Sequence, residues 1–441
     1  MLLRLDCKFY FVGIGGIGMS SLALYLSKKG CVVAGSDRAY SDILKTLQLN
    51  GVDAKVGSYD NLIKNYDVIV YSSAINDQNL ELVAAKKLNK ILISRAELLS
   101  SILSCYRYTV GVAGTHGKTT ATCMLSHIFT CASVPITSFI GGIDLKFNNL
   151  ISNGIDTAIS EVCEYKGNVD KINSYVAVVL NVDNDHLDYY KTFDNLKSSF
   201  INFLQRSEYK IINADDEVLK NYKSKNVISY GVNASADYKA EKLRSVNGKY
   251  IFDVYKRDKK YLTVKLDVYG KHNVYNALSA IAVCDYVFKI DKQKIIDGLY
   301  NYKGCLRRME YLGKYLGVDV IADYCHHPRE IEKTLDMAKE KYGSDYLTLF
   351  QPHTYSRTKL LFDDFKEVFK DENVVFYKTY SAREDFDEQG SVKRLAFELS
   401  KNYVEKFESV KSILLKNKNV KALFILGAGD LYDIVKKKLQ K

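Results

Sequence analysis

Short apolar runs alternate with longer amphipathic segments along most of the chain. KFYFVGI (8–14) is followed by the helix-like SSLALYLSKKG (20–30) and then by CVVAGSD (31–37). Apolar runs that end in glycine or acid read as strands, and the segments between them read as helices. Strand and helix in strict alternation predict α/β architecture with mostly parallel sheets. The pattern restarts twice. Near residues 104–107 a helix ends and the strand RYTVGVAG begins, and near 304–313 CLRRMEYLG gives way to the strand VDVIADY. These restarts predict three domains, 1–104, 105–311 and 312–441, in keeping with a length of 441 residues, too long for one core. Within the middle domain, 236–269 reads as strands and turns, with Asn247-Gly248 as a hairpin signal. It predicts an antiparallel insertion beside the main sheet.

Composition narrows the function classes. The chain carries 63 basic and 52 acidic residues, a net charge of +11, and 47% hydrophobic residues. This mild basic excess suits anionic small molecules. No Lys/Arg block interleaved with aromatics stands out, so nucleic acid is not an expected partner. Nine cysteines are scattered without a CxxC pair, which suits reduced thiols and a cytoplasmic location. No apolar stretch approaches membrane-spanning length, so no membrane insertion is expected.

After the strand YTVGVA comes GTHGKTT (114–120). A strand, a glycine turn and a helix start aim backbone N–H groups and a helix N-terminus at one point, which favours an anion. Lys118 adds a cation for phosphates and Thr119 a hydroxyl suited to Mg²⁺. Only Thr115 and His116 separate Gly114 from Gly117, where the usual phosphate loop has four residues. Glu161 and Glu164 follow another strand, in EVCEY, and Asp183, Asp185 and His186 follow a third, in NVDNDHLDYY. Ligands of parallel sheets gather at the carboxyl ends of strands. Gly114, Glu161 and His186 are therefore expected on one face, a set that suits Mg²⁺ and bound phosphates.

Other clusters extend the picture. GIGGIGMSS satisfies the dinucleotide fingerprint at Gly13, Gly15 and Gly18, with Asp37 at the end of the next strand, expected on a ribose. A diphosphate joined to a ribose fits there, either NAD or a UDP-sugar. GKHNVYNALSA (270–280) opens a helix with Asn273 and Asn276 on one face, where amides suit an adenine edge. LRRMEYLG offers Arg307 and Arg308, either able to fork a phosphate.

Taken in order, GIGGIGMSSLA, AGSD, YSSAI, GTHGKTTAT, EVCEY, NVDNDHLDYY, GKHNVYNALSA, RRMEYLG, DYCHHPREI, FQPHTYSRTK, TYSARE and LGAGD resemble the Mur ligases of peptidoglycan synthesis from end to end. The short GTxGKT loop is a hallmark of that family, and its histidine form, with HHP and QPHTYSR, is similar to the member that adds L-alanine. Two departures stand out. Ala322-Asp323-Tyr324 replaces a pair of aspartates before tyrosine, and EVCEY replaces the usual EADES.

The resemblance implies a Rossmann-like UDP-binding domain, a central P-loop-type ATPase domain and a C-terminal Rossmann-like domain that presents the amino acid. It implies ATP, UDP-N-acetylmuramate and L-alanine as substrates, two Mg²⁺ ions, and a monomer or weak homodimer. Gly13, Gly15, Gly16, Gly18, Asp37, Ser72 and Ser73 would line the UDP-sugar pocket. Gly114, Thr115, His116, Gly117, Lys118, Thr119 and Thr120 would cradle ATP, with Asn273, Asn276, Arg308 and Asp323 on the nucleotide. Thr119 and Glu161 would hold one ion, and Glu161 and His186 the second. His353 and Arg357 would hold the amino acid. Lys118, Glu161 and His186 would carry the chemistry, and His186 and His353 both stand as candidates for the general base. An NAD-dependent oxidoreductase would leave GTHGKTT, Glu161 and His186 unexplained, and intact Lys118, Glu161 and His186 argue against a silent UDP-sugar-binding regulator. A relative that adds a preformed peptide to the same sugar is the nearest rival.

Overall fold

The computed structural model describes residues 6–185, 187–382 and 384–440. Its first sheet has five parallel strands, β1 (Phe9–Val12), β2 (Val33–Asp37), β3 (Asp53–Val56), β4 (Val68–Tyr71) and β5 (Ile91–Ser94), in the order β3-β2-β1-β4-β5. Every residue of FYFV in β1 is buried, as a central parallel strand covered on both faces requires. The order reverses between β1 and β4, which opens a crevice beyond their carboxyl ends. Gly13 to Gly18 follow β1 and lead into the helix Ile17–Lys28, while Ser72 and Ser73 follow β4.

The second sheet has ten strands: β6 (Tyr108–Ala113), β7 (Thr137–Asp144), β8 (Asn148–Ser152), β9 (Thr157–Glu161), β10 (Val176–Val179), β11 (Tyr209–Asn213), β12 (Val227–Gly231), β13 (Tyr238–Val246), β14 (Lys249–Lys256) and β15 (Lys259–Tyr269). Its order is β15-β14-β13-β12-β11-β10-β6-β9-β7-β8. β6 lies between β10 and β9, parallel to both. The loop after β6, Glu161 at the end of β9 and the segment after β10 therefore share one edge. The helices Lys118–Cys131 and His272–Ala282 pack against each other. The 236–269 segment corrects the sequence reading. β13 pairs in parallel with β12, so these strands extend the main sheet instead of standing beside it. The two-residue turn between β13 and β14 has positive φ at both Asn247 (52°) and Gly248 (78°), the geometry that favours Asn-Gly.

The third sheet holds β16 (Glu310–Tyr315), β17 (Val318–Asp323), β18 (Tyr346–Phe350), β19 (Val374–Tyr377), β20 (Asn402–Val404) and β21 (Ala422–Leu426), in the order β16-β17-β21-β18-β19-β20. Only β16 runs antiparallel to its neighbour. Contacts divide the chain into two compact units. One holds residues up to 244 with 251–267 and 272–303, and the other holds 245–250, 268–271 and the chain from 304 onward. Among the described residues no helix is long and apolar enough to cross a membrane.

Candidate active site

The loop after β6 is shaped by backbone. Gly114 has φ +132°, and Gly117, at φ +86°, is the N-cap of the helix Lys118–Cys131. A Cβ on Gly117 would lie 2.5 Å from Asn276 Oδ1, so the turn admits no side chain. No side chain caps that helix and no acid sits in its first turn. Its leading N–H groups are thus available to an anion. The loop is also tied to the segment after β10. The His116 N–H donates to Asn181 Oδ1 at 2.8 Å, Asn181 Nδ2 donates to the His116 carbonyl at 3.0 Å, and the Asp183 N–H donates to Thr115 Oγ1 at 2.8 Å. The His116 ring, expected to face ATP, lies 3.4 Å from the Asp183 carboxylate and braces this seam.

Lys118 Nζ donates to the Thr115 carbonyl at 3.0 Å and the Gly114 carbonyl at 2.5 Å, and pairs with the Glu164 carboxylate at 3.0 Å. Burial disfavours its charge, but Glu164 together with Cys163 and Glu161 outweighs that and lifts Lys118 above the ordinary lysine range. By sequence Glu164 stands with Glu161 as a candidate metal ligand, and in the fold its carboxylate pairs with Lys118. EVCEY places Glu161 as the last residue of β9, where its Oε1 accepts the Gly141 N–H at 2.6 Å, and turns Glu164 to the lysine. Thr119 is buried, and its methyl lies where a Cβ on Gly142 would fall. Thr119 and Glu161 offer a hydroxyl and a carboxylate, an all-oxygen set that fits Mg²⁺ beside phosphates. His186 lies outside the described residues. Asn273 and Asn276 are both buried, and Asn276 Nδ2 donates to Asn273 Oδ1 at 2.9 Å. Asn276 stands directly against Gly117 of the phosphate loop.

In the same unit, Asp37 Oδ2 accepts the Gly15 N–H at 2.8 Å. The carboxylate expected on a ribose thus ties β2 to the glycine turn. The Ala74 N–H donates to Ser72 Oγ at 3.3 Å, and Lys166 Nζ donates to the Ser73 carbonyl at 2.7 Å.

The second unit sorts the two arginines. Arg307 lies over the Tyr432 ring and pairs with Asp433 at 2.9 Å. Arg308 lies over Tyr324, and the Glu330 and Asp323 carboxylates raise its pKa further despite burial. Asp323 is buried and accepts the Met309 and Cys325 N–H groups at 2.9 Å. Burial raises its pKa against the pull of Arg308. Arg357 lies 3.4 Å from His353 Nδ1. Burial, then His326 and Arg357, push His353 down to about 4. Thr354, between them, sits at φ 71°, a strained conformation for a β-branched residue of the kind found at ligand clamps. Tyr380 and Glu384 also flank this site, through a ring contact to His353 and a 2.8 Å bond from the Ser356 N–H. Both lie in the TYSARE segment.

Three family descriptions match the chain in succession: "Mur ligase family, catalytic domain" over residues 8–107, "Mur ligase middle domain" over 112–284 and "Mur ligase, glutamate ligase domain" over 307–431. A UDP-N-acetylmuramate–L-alanine ligase from Clostridium acetobutylicum is 39% identical over 442 residues, covering 97% of this chain and 96% of that protein. The chain belongs to the Mur ligase family. Among solved structures, the UDP-N-acetylmuramate–alanine ligase of Thermotoga maritima aligns with this Mur ligase at a TM-score of 0.83 and 26% identity, over 99% of this chain and 100% of that one. A murein peptide ligase from Psychrobacter arcticus aligns at 0.77 and 22% identity, over 99% and 98%, and shares the fold. The family's use of ATP with Mg²⁺ agrees with the oxygen set at Thr119 and Glu161.

Proposed function

We propose that this Mur ligase forms the amide between the lactyl carboxylate of UDP-N-acetylmuramate and the amine of L-alanine, using ATP, in peptidoglycan precursor synthesis. The observation that carries the reading is Lys118, held at the uncapped start of its helix by Glu164 and two carbonyls, beside a strand that ends in Glu161. The lactyl carboxylate attacks the γ-phosphoryl group, giving an acyl phosphate and ADP. The amine then attacks the acyl carbon, and the tetrahedral intermediate collapses to amide and phosphate. The first step brings anions together, so Lys118 and the helix N-terminus must offset the repulsion. Two Mg²⁺ ions, one at Thr119 and Glu161 and one at Glu161 and His186, would neutralise phosphate charge. Asn273, Asn276, Arg308 and Asp323 serve the nucleotide, and Gly13 to Gly18, Asp37, Ser72 and Ser73 serve the UDP-sugar. Arg357 forks the alanine carboxylate. His353, held near pKa 4, accepts a hydrogen bond but is too weak a base to keep a proton at neutral pH. A base other than His353 therefore takes the ammonium proton.

Incubation with ATP, Mg²⁺, UDP-N-acetylmuramate and each amino acid in turn tests this. Phosphate release that requires the sugar nucleotide and is fastest with L-alanine is the expected result. Preference for a preformed peptide, or NAD binding without phosphate release, contradicts it.

A further inference from the structure

One cation in the first unit has no role in the chemistry above. Arg95 is the first residue of the helix Arg95–Leu103, whose start is locked by a capping box between Ser94 and Glu97. The acid nearest to it in sequence, Glu97, is taken by Ser94 and Lys171. Among the described residues no carboxylate pairs with Arg95. Its Nη1 would lie 3.1 Å from a Cβ on Gly18, in the first turn of Ile17–Lys28, another helix without an acid in its first turn. A guanidinium is thus held at the positive end of the helix Ile17–Lys28, an arrangement that an anion relieves. Arg95 lines a small open cleft whose other walls include Phe139, Gly141, Ser160 and Glu161. Arg95 also acts on the Cys163 thiol, which feels Lys118 as well. The cleft therefore runs from the glycine turn of the first sheet to the strand end proposed to face the γ-phosphate.

We propose that Arg95 binds the lactyl carboxylate of the sugar nucleotide and holds it in this cleft, facing Glu161. The inference rests on the substrate assignment above. A carboxylate that must attack a phosphoryl group needs one fixed orientation, and a planar guanidinium on a rigid helix start supplies it through two parallel hydrogen bonds. Phe139 closes the cleft with an apolar wall, and Gly141 leaves room beside the Glu161 carboxylate.

The test uses calorimetric titration of the full chain with UDP-N-acetylmuramate and with the same compound carrying its lactyl carboxylate as the primary amide. Arg95→Met should weaken binding of the acid by about 10- to 100-fold, the range of a charge-assisted hydrogen-bonded pair, and leave the amide within about 2-fold. In turnover, KM for the sugar nucleotide should rise while KM for ATP stays constant. Equal weakening of both compounds would assign Arg95 to the diphosphate and overturn the proposal, as would no weakening of either. Should Arg95→Met fail to fold, Arg95→Gln carries the same comparison, and a retained acid-over-amide preference in it overturns the proposal. Failure of the wild-type chain to bind either compound overturns the substrate assignment, and this inference with it.

Discussion

Replacing Glu164 by Gln removes the carboxylate that faces Lys118 at 3.0 Å, where the two side chains are only 2% and 15% exposed. At an effective dielectric constant of about 20 the pair attraction is roughly 5 kcal/mol, much of it offset by the cost of dehydrating both ions. The single variant keeps that cost for Lys118 without the attraction, so a loss of about 3–5 kcal/mol is expected. At about 2–4 °C per kcal/mol for a domain of 150–250 residues, this is roughly 6–20 °C in Tm. Lys118→Met strands Glu164 and should destabilise by a similar amount. The double variant strands neither charge and should cost clearly less than the two singles together. Differential scanning calorimetry of the four proteins without nucleotide measures the cycle. Shifts that add to within about 0.5 kcal/mol would refute the reasoning, since independent sites behave that way.

Three further outcomes are expected. Gly117→Ala forces a left-handed alanine, costing about 1–2 kcal/mol, and drives its Cβ to 2.5 Å from Asn276 Oδ1, so KM for ATP should rise more than KM for the sugar nucleotide; an unchanged ATP requirement contradicts this. Arg308→Ala should raise KM for ATP by about tenfold or more, whereas Arg307→Ala, which loses a part-exposed pair with Asp433, should cost about 1 kcal/mol of stability at most with little kinetic change; the reverse order counts against the assignment. His353 should stay neutral in an NMR titration down to about pH 4. Between that value and the unfolded pKa near 6.5 the unfolded chain binds more protons, so acidification through this window destabilises the fold; a midpoint near 6.5 contradicts the burial argument.

Much of this was legible in the residues. YTVGVA followed by GTHGKTT announces strand, turn and helix, because only glycine serves at φ +86° against Asn276. The shared edge of Gly114 and Glu161 follows from parallel pairing of β6 with β9. What stayed hidden depends on contacts between distant segments. Glu161 and Glu164 look alike in EVCEY, and only the course of the chain after β9 decides that Glu164 meets Lys118. Arg307 and Arg308 are adjacent in sequence, yet one joins Asp433 while the other lies beside Asp323 and Glu330. Asp37 matches the ribose position of its fingerprint, but the fold spends one of its oxygens on the Gly15 N–H. Arg95 carries no motif at all, and its setting exists only once the helix Arg95–Leu103 meets Gly18 and the cleft reaches Glu161.

The central claim is that Lys118, Thr119 and Glu161 serve transfer of a γ-phosphoryl group to a substrate carboxylate. UDP-N-acetylmuramate labelled with ¹⁸O in its lactyl carboxylate, turned over with ATP and L-alanine, tests it by mass spectrometry of the products. One labelled oxygen in the released phosphate, with ADP as the nucleotide product, is the predicted result. Unlabelled phosphate, or label recovered in AMP, would contradict it.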